Sequence, residues 1–386
     1  MRALLVTNDF PPMIGGEATW YERICATLSP DSLIVLAPHV SEDQAFDVRQ
    51  SYRITRRHVP IATHAFARLT QMIALFVCAT GIVQRERIDV VHVGHLYLGP
   101  IGLALNRLFR TPYVLYLHGG EMAAYIRFRI VQSVVRRVVR GARLVVVNSA
   151  YTERLYQGMG IHHPRTEILT IGVDPDRFRP DLDVRGVRAK YDLNGAKVIL
   201  TVGRLIERKG HDVVIRALRL VRRRVGPVRY VIVGDGPEKR RLRRLAGSEG
   251  CAEDVVFAGQ VAGPELPPFY AACDVFIMPS RALARRDGVE GFGIAFLEAG
   301  ACGKPVIGGR SGGISYAVTD GVTGILVDPL NVEEVADALS HLLLDREEAS
   351  RLGGRARARS EQLQEAWRTA LARIWDQTCA EAMRYP

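Results

Sequence analysis

Short, uninterrupted apolar runs recur along this chain, each followed by a longer amphipathic stretch, and that rhythm limits the folds open to it. Residues 3–7, 33–37, 90–93, 113–117, 144–147 and 168–171 read as strands, and 17–28, 62–85, 99–109, 123–140 and 152–157 carry helical spacing between them. A strand that is apolar at every position is buried on both faces, which points to a parallel sheet covered by helices. Gly172-Val-Asp-Pro-Asp-Arg-Phe-Arg-Pro180 then breaks the rhythm with two prolines and four charges. A second series follows, with strands at 198–202, 230–233, 255–257, 275–278, near 306 and at 324–327. Helical segments at 211–224, 238–248, 265–272, after Asn331 and over 361–383 alternate with them or follow. The expectation is an α/β protein with two Rossmann-like parallel-sheet domains, 1–172 and 196–365, joined by a linker at 173–195 and ending in a helix at about 366–386. At 386 residues the chain is too long for one ordinary core. Ligands of such sheets bind outside the carboxyl ends of the strands.

Charge narrows the partners. The chain carries 52 basic against 41 acidic residues, net +11, and only five of the basic residues are lysines. Such a balance favours anionic partners, although arginine richness also follows from a biased genome. Residues 122–152 hold no Asp or Glu, but contain Arg127, Arg129, Arg136, Arg137, Arg140 and Arg143 among valines and isoleucines. Two readings are open: a basic helix lying on an anionic membrane, or a helix packed on the sheet with its arginine stems turned to water. The basic segments lack interleaved aromatics, so no nucleic-acid partner is expected. Six scattered cysteines show no metal-type spacing, and reduced thiols in a cytoplasmic protein are the simplest account. The start runs directly into a strand, so no signal peptide is expected. The most apolar helical run, 71–83, is too short to span a bilayer.

The candidate chemistry lies at strand-to-helix turns. Gly15-Gly16 precedes a helix and offers free amides, or is simply a tight turn. Gly203-Arg204-Leu-Ile-Glu-Arg-Lys209-Gly210 opens the second domain's first helix. Cations at a helix N-terminus are unfavourable unless an anion joins them, so Arg204 and Lys209 suit a diphosphate, with Arg208 turned to solvent. Asp235, in Gly234-Asp-Gly-Pro237, either touches a ligand or caps the helix. His118-Gly-Gly follows a strand and is read as a substrate contact; His92 and His95 can line an acceptor pocket. The two D-x-D patterns, Asp174/Asp176 and Asp181/Asp183, read as turn and cap residues, and neither a metal nor another cofactor is expected. The densest stretch is Glu290-Gly-Phe-Gly-Ile-Ala-Phe-Leu-Glu298, with two carboxylates that have seven residues between them, around the bare amides of a helix start. It can hold a phosphate and two polyol ends, or it is a surface turn with a capping glutamate.

In this order the motifs resemble those of the family-4 retaining glycosyltransferases of the GT-B fold. The resemblance runs nearly end to end. Thr7-Asn-Asp-Phe-Pro-Pro-Met-Ile-Gly-Gly16 and the run from Asp287 to Ala299 look most like bacterial phosphatidylinositol mannosyltransferases. It implies two domains facing across a cleft, with the C-terminal helix crossing back to the first. It further implies that Arg204 and Lys209 hold the donor diphosphate and Glu298 the ribose. Glu290, with the amides of Phe292, Gly293 and Ile294, would hold the transferred sugar, and His118 would touch it from the other domain. Gly16, beside Gly15, would approach the phosphates, Gly203 would open the diphosphate turn, and Val261 and Leu266 would flank the base. The leaving phosphate would help deprotonate the acceptor on the same face. Ile314-Ser315-Tyr316 departs from the Pro-Glu pair that many members carry after the glycines matching Gly312-Gly313. The expected donor is GDP-mannose and the acceptor a lipid at the inner membrane face. A UDP-sugar with a soluble acceptor, a nucleotide-sugar epimerase and a non-catalytic nucleotide-binding protein are the alternatives.

Overall fold

A computed structural model of the protein describes residues 2–13, 15–59, 65–119, 129–261, 263–283 and 288–382. The chain divides into two compact units, Met1–Thr170 with Trp367–Pro386, and Ile171–Ala366. The first contains a seven-stranded, wholly parallel sheet of β1 (Ala3–Val6), β2 (Leu33–Pro38), β3 (Arg53–Arg57), β4 (Val90–Val93), β5 (Tyr113–Leu117), β6 (Leu144–Val147) and β7 (Thr166–Ile168). Their order is β3-β2-β1-β4-β5-β6-β7. The second holds six parallel strands: β8 (Lys197–Val202), β9 (Val228–Val233), β10 (Val255–Gly259), β11 (Val275–Met278), β12 (Val306–Gly309) and β13 (Ile325–Val327), ordered β10-β9-β8-β11-β12-β13. The strand order reverses direction at β1/β4 in one sheet and at β8/β11 in the other. A crevice opens at such switch points, where adjacent crossovers leave in opposite directions.

The expected strands lie almost where the apolar runs put them, because β1, β2, β4, β5 and β6 are buried at every position. Two differences have clear causes. Strand β3, Arg-Ile-Thr-Arg-Arg, is an edge strand whose exposed arginines hide it from a search for apolar runs. The last strand of the first sheet is Thr166–Ile168, earlier than 168–171, because Leu169 and Ile171 are buried beyond the end of the ladder. Residues 173–195 do not stand apart as a linker. Val173, Phe178 and Leu193 are buried, a helix forms at Arg185–Lys190, and the whole segment belongs to the second unit.

The C-terminal helix is much longer than its pattern suggests, running unbroken over Arg346–Ala382. Gly353-Gly354 lies inside it, and an added Cβ at Gly353 would overlap the Gly303 carbonyl oxygen. The glycine is there so that the helix can lie against the 302–304 turn, and that packing outweighs its roughly 1 kcal/mol propensity cost. Its residues from Trp367 onward belong to the first unit, where Trp367 meets Trp20 at 5.6 Å and Trp375 stacks on His92 at 5.6 Å.

The helix Ala65–Glu86 corrects the expectation that its apolar run is too short to span a bilayer. By length and composition alone, residues 67–86 are long and apolar enough to cross a membrane. One face of this helix is buried: Ala67, Gln71, Leu75, Ala79 and Val83, four apart, face the core of the first unit. On the opposite side Leu69, Ile73 and Val77, also four apart, are exposed. The cysteines whose side chains are described are free thiols: Cys25, Cys251, Cys273 and Cys302 are buried, and Cys78, on this helix, is half-buried.

Candidate functional site

In the second unit the turn after β8 and the loop after β11 leave opposite sides of the switch point, and the structure brings their charged groups together. Glu207–Lys209 form a single 3₁₀ turn that ends on Gly210. Gly210 has φ 75°, and a side chain there would overlap the Pro279 carbonyl oxygen, so only glycine turns the chain at this point. Lys209 Nζ lies 2.7 Å from Glu290 Oε2 and 3.3 Å from Met278 Sδ. Arg208 Nη1 reaches the same Oε2 at 2.6 Å. Burial alone would raise the Glu290 carboxyl, but Lys209 and Arg208 outweigh it and hold it at about 2. Arg208 is therefore not the solvated cation of this turn. Its side chain is 16% exposed and ion-paired, while Arg204 is the exposed one. Burial lowers the Lys209 ammonium, with Glu290 opposing the shift.

The glycine pair Gly234/Gly236 has a packing role. A Cβ on either would overlap backbone of the neighbouring turn, the Gly203 carbonyl for one and that of Leu205 for the other. Asp235 spends its carboxylate locally, accepting from the Gly236 amide at 2.7 Å and from Lys239 at 2.8 Å. These bonds, that to Lys239 foremost, lower its pKa. It caps no helix, since the helix that follows starts at Lys239 after Glu238.

Gly293, at φ 93°, precedes the helix Ile294–Ala301 with no side-chain cap, so the first amides of the helix keep the anion-binding character expected of them. Phe292 is buried beneath them. Glu298 is one turn inside this helix, half-buried, and accepts a 2.5 Å hydrogen bond from the Tyr270 hydroxyl. Gly300 and Ser360 fasten the helix to the C-terminal one: Ser360 Oγ donates to the Leu297 carbonyl at 2.9 Å. Val261 and Leu266, half-buried, lie just past β10 and just before the helix Pro267–Ala272. Sequence reasoning missed Arg208, Tyr270 and the buried Arg281–Asp212 pair (3.1 Å) behind the turn. Arg208 lies in the Gly203–Gly210 turn but its carboxylate partner is far along the chain, and only the fold brings that partner, Tyr270 and the Arg281–Asp212 pair to the site.

In the first unit the β1/β4 switch point gathers Gly15, Gly16, His95 and His118. Gly15, extended at φ 176°, is the N-cap of Gly16–Thr27, and a side chain there would point into open space. His118 is buried, 2.6 Å from the Tyr21 hydroxyl through Nε2, with its ring edge-on to Trp20 at 5.0 Å. Tyr21 also donates to the Gly94 carbonyl. His92, in contrast, points into the core, paired with Tyr116 at 2.7 Å, and burial lowers its pKa to about 4. That contact makes it a structural residue and removes it from an acceptor pocket. His95 Nε2 is 3.8 Å from Glu17, and Asp9, Glu17 and His95 offer ligand atoms within 4.8 Å of one another. Asp174 and Asp183 each accept from a backbone amide two residues on, at 3.0 Å.

The arginine helix spans Arg129–Gly141 among the described residues, and Arg127 lies outside them. Val135, Val138 and Val139 are buried while Arg136, Arg137 and Arg140 are exposed. One face packs into the core of the first unit and the other presents a row of cations, which is the packed-helix reading of this segment.

Residues 185–359 match the model of the glycosyl transferases group 1, and residues 14–177 that of glycosyltransferase family 4. The chain is 36% identical over 389 aligned residues to a GDP-mannose-dependent alpha-(1-6)-phosphatidylinositol monomannoside mannosyltransferase of Mycobacterium tuberculosis, covering 98% of this chain and 96% of that one. It is 32% identical to the GDP-mannose-dependent monoacylated counterpart of Corynebacterium glutamicum, over 93% of both chains. Among solved structures, Anabaena HepE in complex with UDP and glucose superposes with a TM-score of 0.82 at 21% identity, covering 99% of this chain and all of that one.

Proposed function

Because this chain belongs to the family-4 glycosyltransferases and has the GT-B fold, we propose that it transfers mannose from GDP-mannose to a phosphatidylinositol mannoside at the cytoplasmic membrane face, with retention of configuration. The observation that carries the reading is the convergence of Lys209, Arg208 and Glu290 at the β8/β11 switch point. Cations suited to a diphosphate stand there beside a carboxylate suited to sugar hydroxyls, which supports the reading. Lys209 and Arg204 take the diphosphate and stabilise the charge that builds on the leaving group. Glu290, with the amides of Phe292, Gly293 and Ile294, takes the mannose. Glu298, oriented by Tyr270, takes the ribose, and Val261 and Leu266 flank the base. Gly16 and His118 of the first unit serve substrate contact. The leaving phosphate oxygen accepts the acceptor's proton on the same face of the sugar, so no protein base is assigned. The cations carry the neutralising charge, and a metal is not required.

The acceptor and the location rest on the relatives' lipid substrates and on two surfaces of the first unit. Leu69, Ile73 and Val77 form an exposed apolar stripe, and Arg136, Arg137 and Arg140 an exposed basic one. Both suit peripheral attachment to an anionic bilayer. A panel of nucleotide sugars offered with phosphatidylinositol mannosides in vesicles tests the proposal. Mannose transfer from GDP-mannose is the expected result. Activity confined to UDP-sugars would refute the donor, and conversion of donor without acceptor would favour an epimerase.

A further inference from the structure

Arg208 is the cation of the site that motif spacing did not single out. Its Nη1 and Lys209 Nζ converge on one oxygen of Glu290, Oε2, and neither touches Oε1. A carboxylate held by two cations at one oxygen has a fixed orientation and a second oxygen left to accept hydrogen bonds. Lys209 is needed by the donor diphosphate in the function proposed above, and a lysine ammonium on a flexible stem can turn to it. Arg208 is built to stay. Its main-chain carbonyl accepts from the Arg281 amide at 2.9 Å. The Arg281 guanidinium in turn grips Asp212, at the start of the helix His211–Val225, at 3.1 and 3.2 Å, with both side chains buried. The turn that carries Arg208 is thus tied to the helix behind it by a buried ion pair.

We propose that Arg208 is a positioning residue, holding Glu290 by Oε2 with Oε1 turned to the sugar hydroxyls while Lys209 transfers to the diphosphate. The inference rests on the donor reading above. In this arrangement the sugar, not the nucleotide, senses Arg208. The charged groups that face Glu290 among the described residues are Lys209 and Arg208.

The test compares GDP with GDP-mannose on wild type, Arg208→Gln and Arg208→Lys, by calorimetry and steady-state transfer. In Arg208→Gln the affinity for GDP is expected to stay within about threefold of wild type. GDP-mannose should lose its extra affinity over GDP, and kcat/KM should fall at least tenfold, a loss of about 1.4 kcal/mol. Arg208→Lys keeps the charge and should recover part of that loss; it also keeps the test readable if the Gln variant folds poorly. The acid limb of kcat/KM should move up in pH in the Gln variant, because Glu290 has lost one of its two cations. Equal weakening of GDP and GDP-mannose would make Arg208 a diphosphate ligand and overturn the proposal, as would a Gln variant indistinguishable from wild type. A wild-type protein that binds neither ligand refutes the donor reading instead, so the two failures are told apart.

Discussion

Replacing Glu290 by Gln should weaken transfer and strengthen product binding together. Glu290 neutralises Lys209 at 2.7 Å and Arg208 at 2.6 Å, with about 14% of its side chain exposed. A diphosphate that recruits Lys209 must break one charge-assisted hydrogen bond, worth about 1.5–3 kcal/mol. Taking the lower figure, removal of the carboxylate charge should let GDP bind about tenfold more tightly. The same change removes the group assigned to the sugar, and turnover should fall on the order of 100-fold. Calorimetric titration of GDP into Glu290→Gln and wild type, beside transfer assays at saturating donor, reads both numbers. GDP affinity that drops with turnover would refute the reasoning, because Glu290 would then be supporting the diphosphate site rather than competing with it.

Glu290 has its carboxyl depressed to about 2 from an ordinary 4.5, so its ion pairs contribute stability that is fully present above pH 4.5 and lost as pH falls toward 2. Urea titrations should show wild type more stable than Glu290→Gln at pH 7 and the two converging as the pH approaches 2; a gap that persists there would contradict the ion-pair account. Tyr270→Phe removes the donor to Glu298 and should raise the donor KM about fivefold with kcat nearly unchanged. A matching fall in kcat would place Tyr270 in the chemical step. Turnover should survive excess EDTA, since Arg204 and Lys209 are assigned the diphosphate charge; loss that is restored by a divalent cation would require a metal there. Ile73→Glu, on the exposed face of its helix, should weaken flotation with anionic vesicles at least tenfold, and unchanged flotation would remove the apolar stripe from membrane attachment.

Much of this architecture was legible because parallel strands buried on both faces announce themselves as apolar runs. The sheet order followed less directly, and β3 escaped because an edge strand can be as polar as Arg53-Ile-Thr-Arg-Arg57. Glu290, Lys209 and Glu298 could be found by their place at strand-to-helix turns, but their partners could not. Tyr270 lies 28 residues from Glu298 and Arg208 lies 82 from Glu290, so those pairings depend on crossovers between strands. Arg208 was misjudged for a specific reason. Counting charges on a turn does not reveal which one a distant carboxylate will claim. The C-terminal helix begins well before residue 361 because close packing at Gly353 overrides local propensity. Asp235 looked equally suited to a ligand or a cap, and in the fold Lys239 takes its carboxylate.

The half-buried thiol of Cys78 has a practical consequence. Burial raises the thiols of Cys25, Cys251, Cys273 and Cys302, which keeps them poor nucleophiles. Cys78, by contrast, is neither fully buried nor remote: it follows Val77 on the helix whose outer face is apolar. Among the cysteines whose side chains are described it is the least buried, and so the first that a maleimide fluorophore would meet, with no cysteine having to be engineered. A polarity-sensitive dye at this position would report in its emission colour whether that helix leaves water in the presence of vesicles, in the unmodified sequence and in real time.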